Sequence, residues 1–111
     1  MADEKQEKAF EIVELAKRSG KIKKGSNEVT KAIEKGMAKF VVYAKDVNPV
    51  EVIMHLAPLC KEKDIPYVEV SSKEELGTAA GLPVSTAAVV VILEGEAKNL
   101  ISKLKPKEES K

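Results

Sequence analysis

Two short runs constrain this chain more than any other feature: Phe40-Val41-Val42-Tyr43-Ala44 and Ala87-Ala88-Val89-Val90-Val91-Ile92-Leu93. Each is an apolar run rich in β-branched residues. A strand without polar alternation leaves no face for water, so both runs must be covered on two sides. The remaining segments offer the covers. Ala9, Phe10, Ile12, Val13, Leu15 and Ala16 recur at helical spacing, predicting a first helix over residues 4–19 that stops at Gly20. Lys21 to Lys24 predicts a short strand around Ile22. Gly25-Ser26-Asn27 predicts a loop with Ser or Asn as cap, followed by a second helix to Lys35 that ends at Gly36. Asp46-Val47-Asn48-Pro49 predicts the start of a third helix that carries Ile53, Leu56 and Leu59 and ends near Lys63. Ile65 to Val70 predicts a strand, and Ser71-Ser72-Lys73-Glu74-Glu75 a capping box opening a helix to Ala80. A last helix follows Gly95 and runs to Leu104. Alternating helices and strands imply an α/β protein, a three-layer α/β/α sandwich with a small mixed central sheet. Residues 1–104 are expected to form one domain and residues 105–111 a polar, disordered tail.

Composition narrows the function classes. The chain has 111 residues, a size for one domain, and 43% hydrophobic with 33% charged residues reads as soluble and globular. Cys60 is the only cysteine, which excludes an internal disulfide and suits a reducing compartment. The charged N-terminus lacks a signal-peptide core, no apolar run approaches a membrane span, and the cytosol is the expected location. A phosphate-binding loop of the GxxxxGK[ST] type is absent, as is a GxGxxG after a strand. One His and one Cys cannot build a zinc site of ordinary spacing. His55 and Cys60 stand five apart on one helix and do not face each other, so a nucleophilic pair is not expected. No enzyme activity, cofactor or metal follows from the residues.

The charge is distributed unevenly. Net charge is +1, yet residues 17–39 hold eight basic residues against Glu28 and Glu34, a local +6, leaving −5 on the remainder. A single basic stretch on an otherwise anionic molecule suits a localised anionic partner, though a solvated charged surface has the same signature. Within it lies Lys23-Lys24-Gly25-Ser26-Asn27-Glu28-Val29-Thr30-Lys31. An ordinary helix start explains the glycine, the cap and the first-turn acid. It does not explain the lysines on both sides, nor Lys31 and Lys35 continuing at i, i+4. A helix N-terminus is also a seat for phosphate. Asn27 offers donor and acceptor atoms, and Glu28 accepts only, as a guanine edge would require. An acid within a basic patch weakens indiscriminate phosphate binding and suggests base reading, the mode that folded RNA demands.

The stretch KKGSNEVTKAIEKG, Lys23 to Gly36, resembles the signature of the kink-turn-binding ribosomal protein family of the L-seven-Ae type. The segments Tyr43 to Val52, Leu59 to Val70 and Leu76 to Val89 resemble that family in the same order and spacing, and the short stand-alone form resembles its archaeal members. The resemblance implies binding of a kink-turn, an RNA helix bent sharply at a bulge beside tandem sheared G·A pairs. It implies Asn27, Glu28 and Lys31 on the guanine edges, Gly25 and Ser26 at close backbone approach, and Lys24 and Lys35 on phosphates. It places Leu82, Pro83 and Val84 against an extruded base. Pro83 stands where many members carry an acid, so only the apolar character of Leu82 and Val84 carries over. The resemblance further implies a large-subunit ribosomal protein that is also a core protein of box C/D and H/ACA guide-RNA particles and of ribonuclease P. In the assembled particle a Nop-type scaffold protein and fibrillarin would join it. A monomer is expected. The competing reading is a protein-interaction adaptor that uses the acidic remainder of the surface without specific RNA readout.

Overall fold

The two uninterrupted runs become the two central strands. A computed structural model describes residues 2–47, 51 and 53–102, with the side chains of residues 2–5 and 102 left aside. In chain order the elements are α1 (Ala2–Ser19), β1 (Lys21–Lys24), α2 (Ser26–Glu34), β2 (Phe40–Ala44), α3 (Leu56–Lys63), β3 (Tyr67–Val70), α4 (Lys73–Ala79), β4 (Ala88–Leu93), a 3-10 turn (Gly95–Ala97) and α5 (Lys98–Ser102). The sheet order is β1-β4-β2-β3, with β4 antiparallel to both neighbours and β2 parallel to β3. The sheet is therefore mixed, as expected. All five residues of β2 are buried, whereas the edge strand β1 exposes its three lysines. Lysines along an unpaired edge discourage pairing with another chain.

Strand periodicity divides the core between two faces. Phe40, Val42, Ala44, Val89 and Val91 meet Ile12, Val13 and Ala16 of α1, Leu76 of α4 and Ile101 of α5. Val41, Tyr43, Ala88, Val90 and Ile92 meet Val29 and Ile33 of α2 and Leu56 and Cys60 of α3. Helices thus cover both sheet faces, which makes the three layers.

One boundary differs clearly from expectation. Helix α3 begins at Leu56, and the turn Ile53–His55 precedes it, so Ile53 stands before the helix that was expected to carry it. Asp46, one of the two cap residues that Asp46-Val47-Asn48-Pro49 offers, is engaged elsewhere: its Oδ1 accepts from the Lys73 amide at 2.9 Å, at the head of α4. The proposed start at Asn48-Pro49, the end of the last helix at Leu104 and the tail 105–111 lie outside the described residues. The expected cap of α4 is present, with Ser72 Oγ accepting from the Glu75 amide at 3.2 Å. Ser72→Ala is expected to cost about 1 kcal/mol in a denaturant melt, the usual worth of such a cap. Among the described residues, no helix is long and apolar enough to cross a membrane.

Candidate nucleic-acid interface

The site begins where β1 runs directly into α2. Gly25 still belongs to the sheet, its amide donating to the Ala88 carbonyl at 2.8 Å. One residue later the chain is helical. Gly25 takes φ 95°, ψ 142° to make that change, a conformation close to one that only glycine adopts at low cost. The expected loop 25–27 is therefore shorter than predicted. Gly25 is the N-cap, and Ser26, Asn27 and Glu28 are already the first helical turn.

A glycine cap has no side chain, and among the described residues no side chain caps the first turn of α2. The first amide to find a helical acceptor is that of Val29, bonded to the Gly25 carbonyl at 2.9 Å. The amides of Ser26, Asn27 and Glu28 are left for an external acceptor, at the positive end of the helix dipole. The contrast with α4 is informative, because its head amides are taken by Ser72 and Asp46.

Burial fixes which face α2 presents. Val29, Ala32 and Ile33 are buried, so Asn27, Glu28, Lys31 and Lys35 share the opposite, exposed side. Glu28, Lys31 and Lys35 line one shallow groove of about 100 Å³ together with Lys23, Met37 and Ile92. Lys24 is exposed at the end of β1, and Ser26 is half-buried. Behind this face, Thr30 Oγ1 donates to the Ser26 carbonyl at 2.8 Å and meets His55 Nε2 at 2.6 Å. A hydroxyl has one proton, so with that proton on Ser26 the imidazole is the donor of the second bond. His55 thus braces α2 from the head of α3, apart from Cys60.

The Leu82–Val84 segment reaches the same end of the sheet through strand pairing. Lys24 lies opposite Val89, so the loop that feeds β4 ends beside the start of α2. The Leu82 amide donates to the Gly77 carbonyl at 2.9 Å and the Thr86 amide to the Lys73 carbonyl at 3.2 Å, which pins the loop to α4. Leu82 is half-buried against the core, whereas Pro83 is exposed and Val84 is 65% exposed. Val84 and Pro83 therefore offer the larger free apolar surface. Lys23 and Met37 join the groove without having been singled out as contact residues, and only the fold brings Met37 and Ile92 to it.

The described residues hold no cluster of three or more His, Cys, Asp or Glu arranged for a metal. Cys60 is fully buried, and desolvation pushes its thiol up to about 12. It should resist alkylation at neutral pH in the native protein and react only on unfolding, which a thiol-labelling time course checks.

Comparison with known proteins adds the family. The profile of the ribosomal protein L7Ae/L30e/S12e/Gadd45 family matches residues 7–101. The chain belongs to this family. The matched span of the L7Ae/L30e/S12e/Gadd45 type includes all ten residues from Lys24 to Val84 considered above. Among solved structures, the Giardia lamblia 15.5kD RNA binding protein is similar, with a TM-score of 0.78 and 31% identity. The match covers 94% of this chain and 89% of that one, so the likeness extends over the whole sandwich.

Proposed function

We propose that this protein binds kink-turn RNA and catalyses no reaction. The observation that carries the reading is the uncapped N-terminus of α2, set beside exposed Asn27, Glu28 and Lys31. Three free amides and flanking lysines suit phosphate, while an amide and a carboxylate on the same turn suit the edges of unpaired or sheared guanines. The RNA binding named for the Giardia lamblia protein, which shares this fold at 31% identity, supports it.

In this reading Asn27, Glu28 and Lys31 contact the guanines of the tandem G·A pairs. The backbone at Gly25 and Ser26 approaches closely, with Lys24 and Lys35 on phosphates. The Leu82-Pro83-Val84 loop rests against an extruded base, mainly through Val84. A bulged RNA samples bent forms, and a rigid surface complementary to the bend shifts the population toward it. The cellular RNAs would be ribosomal RNA, box C/D and H/ACA guide RNAs and ribonuclease P RNA, with a Nop-type scaffold protein and fibrillarin added to the methylation particle.

The test is a titration of purified protein into labelled kink-turn RNA at fixed salt, with an RNA lacking the G·A pairs as control. A side chain bonded twice to a base edge is worth about 1–3 kcal/mol of discrimination, so two such contacts predict a loss of roughly 100-fold in the control. Equal affinity for both RNAs would reduce the site to a general basic patch.

A further inference from the structure

Beside the α2 site, along the outer edge of the sheet, runs a groove of about 330 Å³. It is lined by Lys21, Ile22, Lys23 and Lys24 of β1, Lys17 of α1 and Leu82. Among the described residues β1 pairs with β4 alone, so its other edge is open. The bond from the Gly25 amide to the Ala88 carbonyl sets the phase of that pairing. Alternate residues of an antiparallel strand face away from the partner, which turns the amides of Ile22 and Lys24 outward, toward the open edge.

Lys17 lies against Gly81. Its stem crosses Gly81, and a β-carbon added there would collide with Lys17 Cε and lie 2.7 Å from Nζ. Gly81 also stands at φ +76°, where a side chain is disfavoured. The glycine therefore clears a bed for the lysine stem at the groove wall, and neither residue carries a signal of this in the sequence.

A lysine-rich lining, two outward amides and the apolar Ile22 and Leu82 suit a phosphodiester strand with its sugars. An acidic peptide adding as a further strand fits less well. The ladder is irregular between Lys21 and Ile22, and lysines on the edge oppose strand addition. Lys23 and Lys24 belong to this groove and border the α2 site, so one RNA strand can pass from one to the other.

We propose that this groove binds the sugar-phosphate backbone of one strand of the RNA stem leaving the α2 site, with Lys17 and Lys21 on its phosphates. The inference rests on the RNA reading above and extends it to a second surface. The test compares the parent protein with Lys17→Gln/Lys21→Gln on kink-turn RNAs with both stems full length, or with either stem trimmed, across a salt series. The double variant should bind the full RNA roughly tenfold more weakly, with the slope of log affinity against log salt reduced by about one to two. Trimming one stem should weaken the parent by a similar factor and leave the double variant unchanged. Melting temperatures establish that both proteins are folded. An unchanged salt slope, or equal sensitivity of parent and variant to trimming, would overturn the groove assignment while Asn27→Ala still weakened binding. Loss of any Asn27 effect would instead overturn the α2 reading on which the groove depends.

Discussion

Glu28→Ala is expected to lower affinity for kink-turn RNA by about 100-fold, near 3 kcal/mol, the upper range for a lost charge-assisted hydrogen bond that leaves its partner unpaired. Electrostatics alone predicts the opposite sign. Glu28 lies in a groove with Lys23, Lys31 and Lys35, and removing its charge makes that groove more attractive to any phosphate. The same variant should therefore bind a plain RNA duplex slightly better than the parent does. Opposite responses to the two RNAs separate base reading from a basic patch within one protein. Asn27→Ala, which changes no charge, should lose about tenfold or more on the kink-turn RNA and little on the duplex. Both side chains are exposed, so the melts should move little beyond the few tenths to 1 kcal/mol that a first-turn acid contributes through the helix dipole.

Gly77→Ala should be a damaging single-methyl change for the fold at the Leu82–Val84 loop. Gly77 is buried in α4, and an added β-carbon would collide with the Val84 carbonyl oxygen and lie 3.0 Å from Ser85 Cα. Those obstacles are main chain and cannot swing aside as a side chain does. The loop must lift, straining the Leu82–Gly77 and Thr86–Lys73 bonds that pin it. Overpacking of this kind costs about 1–3 kcal/mol. For a domain near this size, that lowers Tm by roughly 5–15 °C. Lifting the loop also displaces Val84, so RNA affinity should fall, by less than in Glu28→Ala. Thr78→Ala, one residue on and exposed, serves as control and should leave both quantities nearly unchanged.

The layers were legible because burial on two faces writes itself into the chain. The FVVYA and AAVVVIL runs could be nothing but central strands, and the helical spacing of Ile12, Val13 and Ala16 marked a cover. The polar face of α2 was legible for the same reason, since Val29, Ala32 and Ile33 leave Asn27, Glu28 and Lys31 outward. Boundaries that depend on a distant partner were not. Asp46 has the composition of a cap for the helix that follows it, but tertiary contact gives it to Lys73. Ser26 and Asn27 have the composition of caps too, but the sheet bond from Gly25 to Ala88 draws the helix start forward and makes them its first turn. Val84 was tied to the site only by family resemblance, because antiparallel pairing of β1 with β4 is a property of the fold. Lys17 was counted with the basic stretch, but its place over Gly81 joins residues 64 apart and leaves no local pattern.

The head of α2 should meet RNA directly, and amide chemical shifts of isotope-labelled protein, followed as kink-turn RNA is added, test this best. The largest changes should fall on the uncapped amides of Ser26, Asn27 and Glu28, with a second group at Leu82 and Val84. Changes confined to α3 and β3, with the first turn of α2 unmoved at saturation, would contradict it.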